Sequence, residues 1–201
     1  MKQKDNNTYS EKVMLRQTAV SLLTETPVVM ETHGGIGDLW AAVYAEVEEG
    51  VVFEKRPDRT TLLALQRPTW AVYEGNSEKA LSMGAGSHLC VNLLDVDPYG
   101  DPWPTIQAFF GSARPFAQEM VVVVNDGLRQ TVRGGTAWNS KTLEPVVQRF
   151  GNELWDQYLA ACEWLMSDTA AQAGYQVVFF DGYYCGTGLC NTHYVTRLLM
   201  E

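Results

Sequence analysis

The period of the apolar positions changes repeatedly along the chain. Residues 11–25 carry a helical pattern with apolar Val13, Leu15, Val20, Leu22 and Leu23, and Pro27 ends it. Residues 27–31 (PVVME) then predict a short buried strand, followed by a Gly-rich turn and a helix over 39–48. Residues 50–54 (GVVFE) and 69–73 predict a second and a third strand, with a helix over 58–65 between them and another over 77–83. Residues 88–96 (HLCVNLLDV) predict a fourth strand and residues 104–110 a helix. The run Met120–Val124 (MVVVV) predicts a fifth, because consecutive β-branched side chains suit a strand buried on both faces. Residues 143–166 are mostly helical with an interruption near Gly151, and residues 175–180 and 192–199 bracket a Gly-containing turn, which predicts a terminal antiparallel hairpin.

Strands that alternate with helices imply an α/β domain, a mostly parallel sheet with helices on both faces. In such sheets ligands sit at the carboxyl ends of the strands, so residues just after each strand are the ones to inspect for chemistry. At 201 residues and 46% hydrophobic content the chain suits one domain over 1–201, with residues 1–26 as an N-terminal tail and helix. No apolar run reaches the roughly 18 residues of a membrane span and the first residues are polar, so a cytoplasmic protein is expected, with Cys90, Cys162, Cys185 and Cys190 as reduced thiols. The net charge of −9 argues against a chain that grips a long nucleic acid by itself, although a local basic patch or a basic partner subunit could supply the contacts.

After the first strand comes Glu31-Thr32-His33-Gly34-Gly35-Ile36-Gly37, where glycines let the backbone turn sharply and approach a ligand. A tight strand-to-helix turn alone is the alternative. Glu54 ends the second strand, where an acidic side chain can accept from both hydroxyls of a ribose; an exposed ion pair with Lys55 or Arg56 is the alternative. Gly75-Asn76 follows the third strand, and Asn76 offers either an acceptor oxygen to a ligand or a helix cap.

The richest segment is Asp95-Val96-Asp97-Pro98-Tyr99-Gly100-Asp101-Pro102-Trp103-Pro104. Its prolines stiffen the loop, which carries carboxylates and an aromatic ring. The segment resembles the Asp-x-Asp-Pro-(Phe/Tyr)-Gly-x-Pro-x-Pro loop of the tRNA guanine-N2 methyltransferases at Asp95, Asp97, Pro98, Tyr99, Gly100, Pro102 and Pro104, and is a variant of the Asp-Pro-Pro-Tyr motif of amino-methylating enzymes. The Gly-rich turn is similar to the first motif of class I methyltransferases at Glu31, Gly35 and Gly37, with His33 where a glycine is usual.

The resemblance covers residues 27–126 and implies a Rossmann-like class I methyltransferase fold: seven strands in the order 3-2-1-4-5-7-6, mostly parallel, with a terminal antiparallel hairpin. It implies S-adenosyl-L-methionine as cofactor, held by Glu31, His33, Gly35, Gly37, Glu54, Asn76 and Asp95. It also implies catalysis by Asp97, Pro98 and Tyr99: hydrogen bonds from the amino hydrogens to Asp97 and to a backbone carbonyl would localise the lone pair of an exocyclic amine, and Tyr99 would stack on the base that carries it. Tyr99, Gly100 and Trp103 are the expected acceptor contacts, joined by Arg129 and Arg133 from the glycine-containing segment after the fifth strand; a solvated loop with scattered charge explains that segment as readily.

The acceptor expected from the resemblance is RNA, as in tRNA modification, ahead of DNA or a small molecule, with no membrane partner and no metal. Cys185, Cys190 and His193 fit no common zinc spacing and belong to the predicted hairpin. Two other readings remain open. One is a catalytically silent binding or scaffold subunit on the same fold, against which the retained Asp97-Pro98-Tyr99 speaks. The other is an NAD-dependent oxidoreductase, against which the proline-rich loop and the terminal hairpin speak.

Overall fold

The structure is a computed structural model that describes residues 8–135 and 140–201. Its strands are β1 (Val29–Glu31), β2 (Gly50–Glu54), β3 (Ala71–Glu74), β4 (Leu93–Val96), β5 (Glu119–Asp126), β6 (Tyr175–Cys185) and β7 (Asn191–Met200). They form one sheet in the order β3-β2-β1-β4-β5-β7-β6. The first five run parallel, whereas β7 pairs antiparallel with both β5 and β6. This is the Rossmann-like arrangement with a terminal hairpin that the sequence predicts.

The helices are α1 (Tyr9–Leu22), α2 (Asp38–Val43), α3 (Pro57–Gln66), α4 (Ser77–Ser82), α5 (Trp103–Phe110), α6 (Arg129–Arg133), α7 (Glu144–Phe150) and α8 (Tyr158–Ala171). Strand alternation divides them between two faces. Val29, Val52, Val121 and Val123 pack with Leu15 and Ala19 of α1 and Leu63 of α3. Their neighbours Met30, Val51, Phe53, Val122 and Val124 pack on the other face with Leu81 of α4, Phe109 of α5 and Leu165 of α8. The valine run of β5 thus feeds both cores, and each fully buried valine is worth roughly 1.5–3 kcal/mol.

Some elements differ from their sequence patterns. The fourth strand begins at Leu93, not at 88. The cause is Asn92, whose side chain accepts from the Val28 amide at 2.7 Å and donates to the Thr26 carbonyl at 3.0 Å, so it serves backbone groups ahead of β1. The helix after the Gly-rich turn is only Asp38–Val43. Arg129–Arg133 is a short helix where a loop was expected. The interruption near Gly151 is a 3-10 turn over Gly151–Glu153, at which α7 ends.

Candidate active site

The carboxyl ends of β1, β2, β4 and β5 bring the sequence-predicted residues to one edge of the sheet. The turn after β1 has left-handed backbone at Gly35 (φ 58°) and Gly37 (φ 86°), conformations that side chains rarely adopt. Gly34, which sequence reasoning passed over, is fixed by space: a Cβ there would lie 2.5 Å from Val52 and 2.7 Å from Leu63. The Glu54 carboxylate accepts from the Gly35 amide at 2.9 Å and from the Arg56 amide at 2.9 Å. It therefore ties the end of β2 to the turn.

His33 accepts or donates at Nδ1 to the Thr32 hydroxyl at 2.9 Å. Burial, helped by Lys55, lowers its pKa to about 4 against the opposing pull of Asp97 and Glu54, so it is a neutral imidazole. Three other expected cofactor contacts are engaged elsewhere. Glu31 is buried against Arg67, whose guanidinium lies over the rings of Trp40 (4.8 Å) and Trp70 (5.0 Å). Burial raises the Glu31 pKa to about 7 although Arg67 opposes this. The reason for the pairing is that a guanidinium enclosed by tryptophans needs a counter-ion.

Asp95 is the second case. Both its oxygens are held by Arg16 (2.6 and 2.7 Å), and the Tyr44 hydroxyl donates to one of them at 3.0 Å. Arg16 is 1% exposed and Asp95 3%, so this carboxylate supports α1 instead of facing a ligand. In the third, Asn76, the oxygen accepts from the Lys79 amide at 2.9 Å and caps α4. Of its two sequence readings, the cap is the one built.

Asp97 is different. It lies two residues beyond Asp95, 15% exposed, and receives Lys12 Nζ at 2.6 and 2.9 Å on its two oxygens and Asn125 Nδ2 at 2.6 Å. Arg16 stands 3.6 Å away. Burial pushes its pKa up, but Arg16, Lys12 and the hydrogen bonds from Lys12 and Asn125 outweigh burial and hold it below the usual range, as a carboxylate. Pro98 is buried beside it, while the Tyr99 ring is wholly exposed. Gly100 turns the loop at φ 113°, and its carbonyl accepts from the Gly127 amide at 2.8 Å. Close backbone packing of these two glycines joins the ends of β4 and β5.

The structure corrects two expected acceptor contacts. Trp103 is fully buried in the core with Phe109 and Val124, because it opens α5 and points into the sheet. Arg129 is 3% exposed and clamped between Trp155 (3.7 Å) and Tyr184 (3.5 Å), and it donates to the carbonyls of Trp155 and Leu189. It fastens α6 to the hairpin turn and cannot reach a phosphate. Arg133 is exposed and contacts Cys190 Sγ at 3.4 Å. In the hairpin, the buried His193 ring lies between Tyr183 Oη (3.0 Å) and Cys185 Sγ (3.4 Å), and burial lowers its pKa to about 4.

Sequence reasoning missed Lys12, Arg16, Tyr44, Arg67 and Asn125. The only local signal was a Lys and an Arg four residues apart in α1, which share a helix face.

Gly35 and Gly75 both have positive φ, and at each a Cβ would meet nothing within 4 Å, so the backbone beside the Glu54 carboxylate is open to a ligand. This open stretch lies beside Glu54, whereas Glu31 is paired with Arg67 and both oxygens of Asp95 are held by Arg16.

No protein-family model matches the chain, and no curated protein sequence matches it. Solved structures do. Trm1 from Pyrococcus horikoshii, in complex with S-adenosyl-L-methionine, matches with a TM-score of 0.70 at 11% identity, over 95% of this chain and 54% of that one. This chain thus spans about half the length of that protein. NodS from Bradyrhizobium japonicum WM9, an N-methyltransferase in complex with S-adenosyl-L-homocysteine, matches with a TM-score of 0.60 at 10% identity, over 98% of this chain and 89% of that one. TYW2 of M. jannaschii in complex with AdoMet matches with a TM-score of 0.54 at 10% identity, over 94% and 76% of the two chains. At such identities the shared property is the fold, that of the Rossmann-like class I methyltransferases. Among the described residues, no helix is long and apolar enough to cross a membrane.

Proposed function

We propose that this chain is an S-adenosylmethionine-dependent N-methyltransferase acting on an exocyclic amino group, with a nucleobase of RNA as the acceptor class. The observation that carries the reading is the loop at the end of β4: Asp97, held as a carboxylate, stands next to the fully exposed ring of Tyr99 and across from the Gly-rich turn. The fold shared with Trm1 and NodS supports the cofactor assignment.

When bound, the cofactor supplies a methyl group on a sulfonium, whose sulfur leaves as a neutral thioether. The chain positions the other partner. Glu54 and the backbone at Gly35 and Gly75 would hold the nucleoside end, and neutral His33 adds no positive charge beside a sulfonium. Asp97 would accept hydrogen bonds from the amino hydrogens, turning the nitrogen lone pair towards the methyl; the proton leaves after the N–C bond has formed. Tyr99 would stack on the base, worth ~1–3 kcal/mol.

A second reading, a low-molecular-weight amine acceptor, is favoured by one observation. Most of the arginines are engaged within the chain: Arg16 with Asp95, Arg67 with Glu31, Arg197 with Glu119, Arg114 with Ala85 and Arg129 with Trp155. With a net charge of −9, an RNA acceptor would then rely on a local basic patch or a basic partner for its phosphate contacts. The test is calorimetric titration of S-adenosylmethionine, expected to bind the wild type and to bind Glu54→Ala more weakly. Labelled-methyl transfer to RNA, DNA and small-molecule pools follows. Absence of cofactor binding to the wild type would sink the proposal, and transfer confined to the small-molecule pool would select the second reading.

A further inference from the structure

Two cations of α1 meet the end of β4 and the loop after it, and they are built differently. Arg16 is 1% exposed and grips Asp95 through two nitrogens, a planar fork on a carboxylate that is itself buried. Lys12, one turn earlier on the same face, reaches Asp97 with a single ammonium on a flexible stem, and both ends of that pair retain contact with solvent at 12% and 15% exposure. Arg16 fixes the helix. Lys12 is free to leave without unseating it.

A carboxylate offers about four lone-pair positions, two per oxygen. On Asp97 Oδ1, Lys12 and Asn125 both donate at 2.6 Å, so that oxygen is full. On Oδ2, Lys12 donates at 2.9 Å and Arg16 stands at 3.6 Å, too far for a hydrogen bond of its own. One position remains for an incoming donor, whereas an amino group with a neighbouring ring N–H brings two parallel donors. The ammonium would also lie beside a nitrogen that becomes positive as it is methylated, which opposes the reaction if Lys12 stays.

We propose that Lys12 is the specificity-determining gate of the acceptor subsite: its ammonium occupies the positions on Asp97 that an amino acceptor needs, and an acceptor engages Asp97 only by displacing it. The proposal rests on the reading of Asp97 as the acceptor-facing carboxylate. It selects acceptors that present two parallel N–H donors on adjacent nitrogens, one of them the amino group, as on an amino heterocycle with a neighbouring ring N–H, because a single N–H cannot replace an ion pair that spans both oxygens. Asn125 and Arg16 remain in place when Lys12 leaves, so Asp97 stays ionised and oriented.

The test uses methylguanidine, a planar cation with paired N–H donors that is not itself expected to be methylated. It is titrated into protein with 13C-labelled aspartate side chains while the Asp97 carboxyl resonance is followed, the resonance being assigned by its loss in Asp97→Asn. Lys12→Met should bind methylguanidine about tenfold or more tightly than the wild type, the scale of a close charge pair, and Lys12→Arg should behave as the wild type. Should Lys12→Met not fold, Lys12→Gln carries the same comparison. Equal binding to wild type and variant would overturn the gate. Cofactor titration in the same samples keeps the two ideas separate: a Lys12 effect without S-adenosylmethionine binding would remove the proposed function and leave the gate standing as a property of Asp97.

Discussion

The two halves of the sheet edge hold their charges in opposite ways. On the β1–β3 side, apart from the buried Glu31–Arg67 pair, the contacts join neighbouring segments: Glu54 accepts from the Gly35 and Arg56 amides, and Asn76 accepts from the Lys79 amide. On the β4–β7 side they join distant segments: Arg16 to Asp95, Lys12 to Asp97, Arg129 to the carbonyl of Leu189. The first half is the proposed nucleoside cradle, lined by backbone amides and the Glu54 carboxylate. The second is assembled from α1, the Asp97 loop and the hairpin, and depends on buried ions for its shape. Substituting those ions should therefore do more harm than substituting Glu54 or Asn76.

The largest effect is expected at Arg16. Arg16→Met removes the partner of a carboxylate that is 3% exposed and leaves it only the Tyr44 hydroxyl. Breaking one side of a buried pair costs about 3–5 kcal/mol. Urea unfolding should show that loss, and Arg16→Met/Asp95→Leu should recover much of it. A loss below about 1 kcal/mol would make the pair an ordinary surface contact.

Asp126 closes β5 in the same half, fully buried, accepting from the Leu128 amide at 2.7 Å and the Tyr158 hydroxyl at 3.2 Å. Burial raises its pKa to about 7. An unfolded aspartate titrates near ~3.9, so between about pH 4 and 7 the native state holds a proton that the unfolded chain has lost. The sign follows: folding stability from this group is complete below about pH 4 and falls as pH rises through 7. Asp126→Asn should abolish the fall, matching the wild type near pH 4 and exceeding it above pH 7 by up to about 4 kcal/mol. Parallel melting curves of the two proteins from pH 4 to 8 would check it. Glu31 titrates in the same range, and it is unchanged between the two, so the difference isolates Asp126.

Asp97→Asn tests the exposed end of the same loop. It preserves the shape but places a donor against amino hydrogens and against Lys12. Methyl transfer should fall about a hundredfold or more, on the order of 3 kcal/mol, with cofactor affinity nearly intact. Single-turnover assays at saturating cofactor separate the two, and near-normal transfer would take this loop out of the mechanism.

What the sequence allowed to be read follows the same division. The Val-rich β5, the order of the strands and the glycines at Gly35 and Gly37 were legible because each rests on local pattern or on a resemblance spanning adjacent residues. Trp103 and Arg129 were misplaced because a Trp beside a proline-rich loop and an Arg in a glycine-rich segment have the same sequence signature whether they face solvent or core. Only the fold shows that Trp103 opens a helix lying on the sheet, and that Arg129 meets Trp155 and Tyr184. Asp95 was assigned to the cofactor for the same reason: its partner lies 79 residues away in a helix whose lysine and arginine look like ordinary surface charge.

The smallest effects belong to the cradle, and Asn76 is where they decide something. Its oxygen caps α4 at Lys79, and the residue also stands at the end of β3, where an adenine contact was expected. Asn76→Ala should cost about 1 kcal/mol of stability, the ordinary value of a lost cap. Asn76→Ser separates the roles, because a serine hydroxyl caps as well as asparagine does and the melting temperature should hardly move. The same substitution removes the amide nitrogen, the one polar group of Asn76 that the cap does not use. If Asn76 is only a cap, calorimetric titration with S-adenosylmethionine should give Asn76→Ser the affinity of the wild type. A several-fold weaker affinity at unchanged stability would return Asn76 to the cofactor site and show that the cradle, like the Asp97 loop, keeps one group back for its ligand.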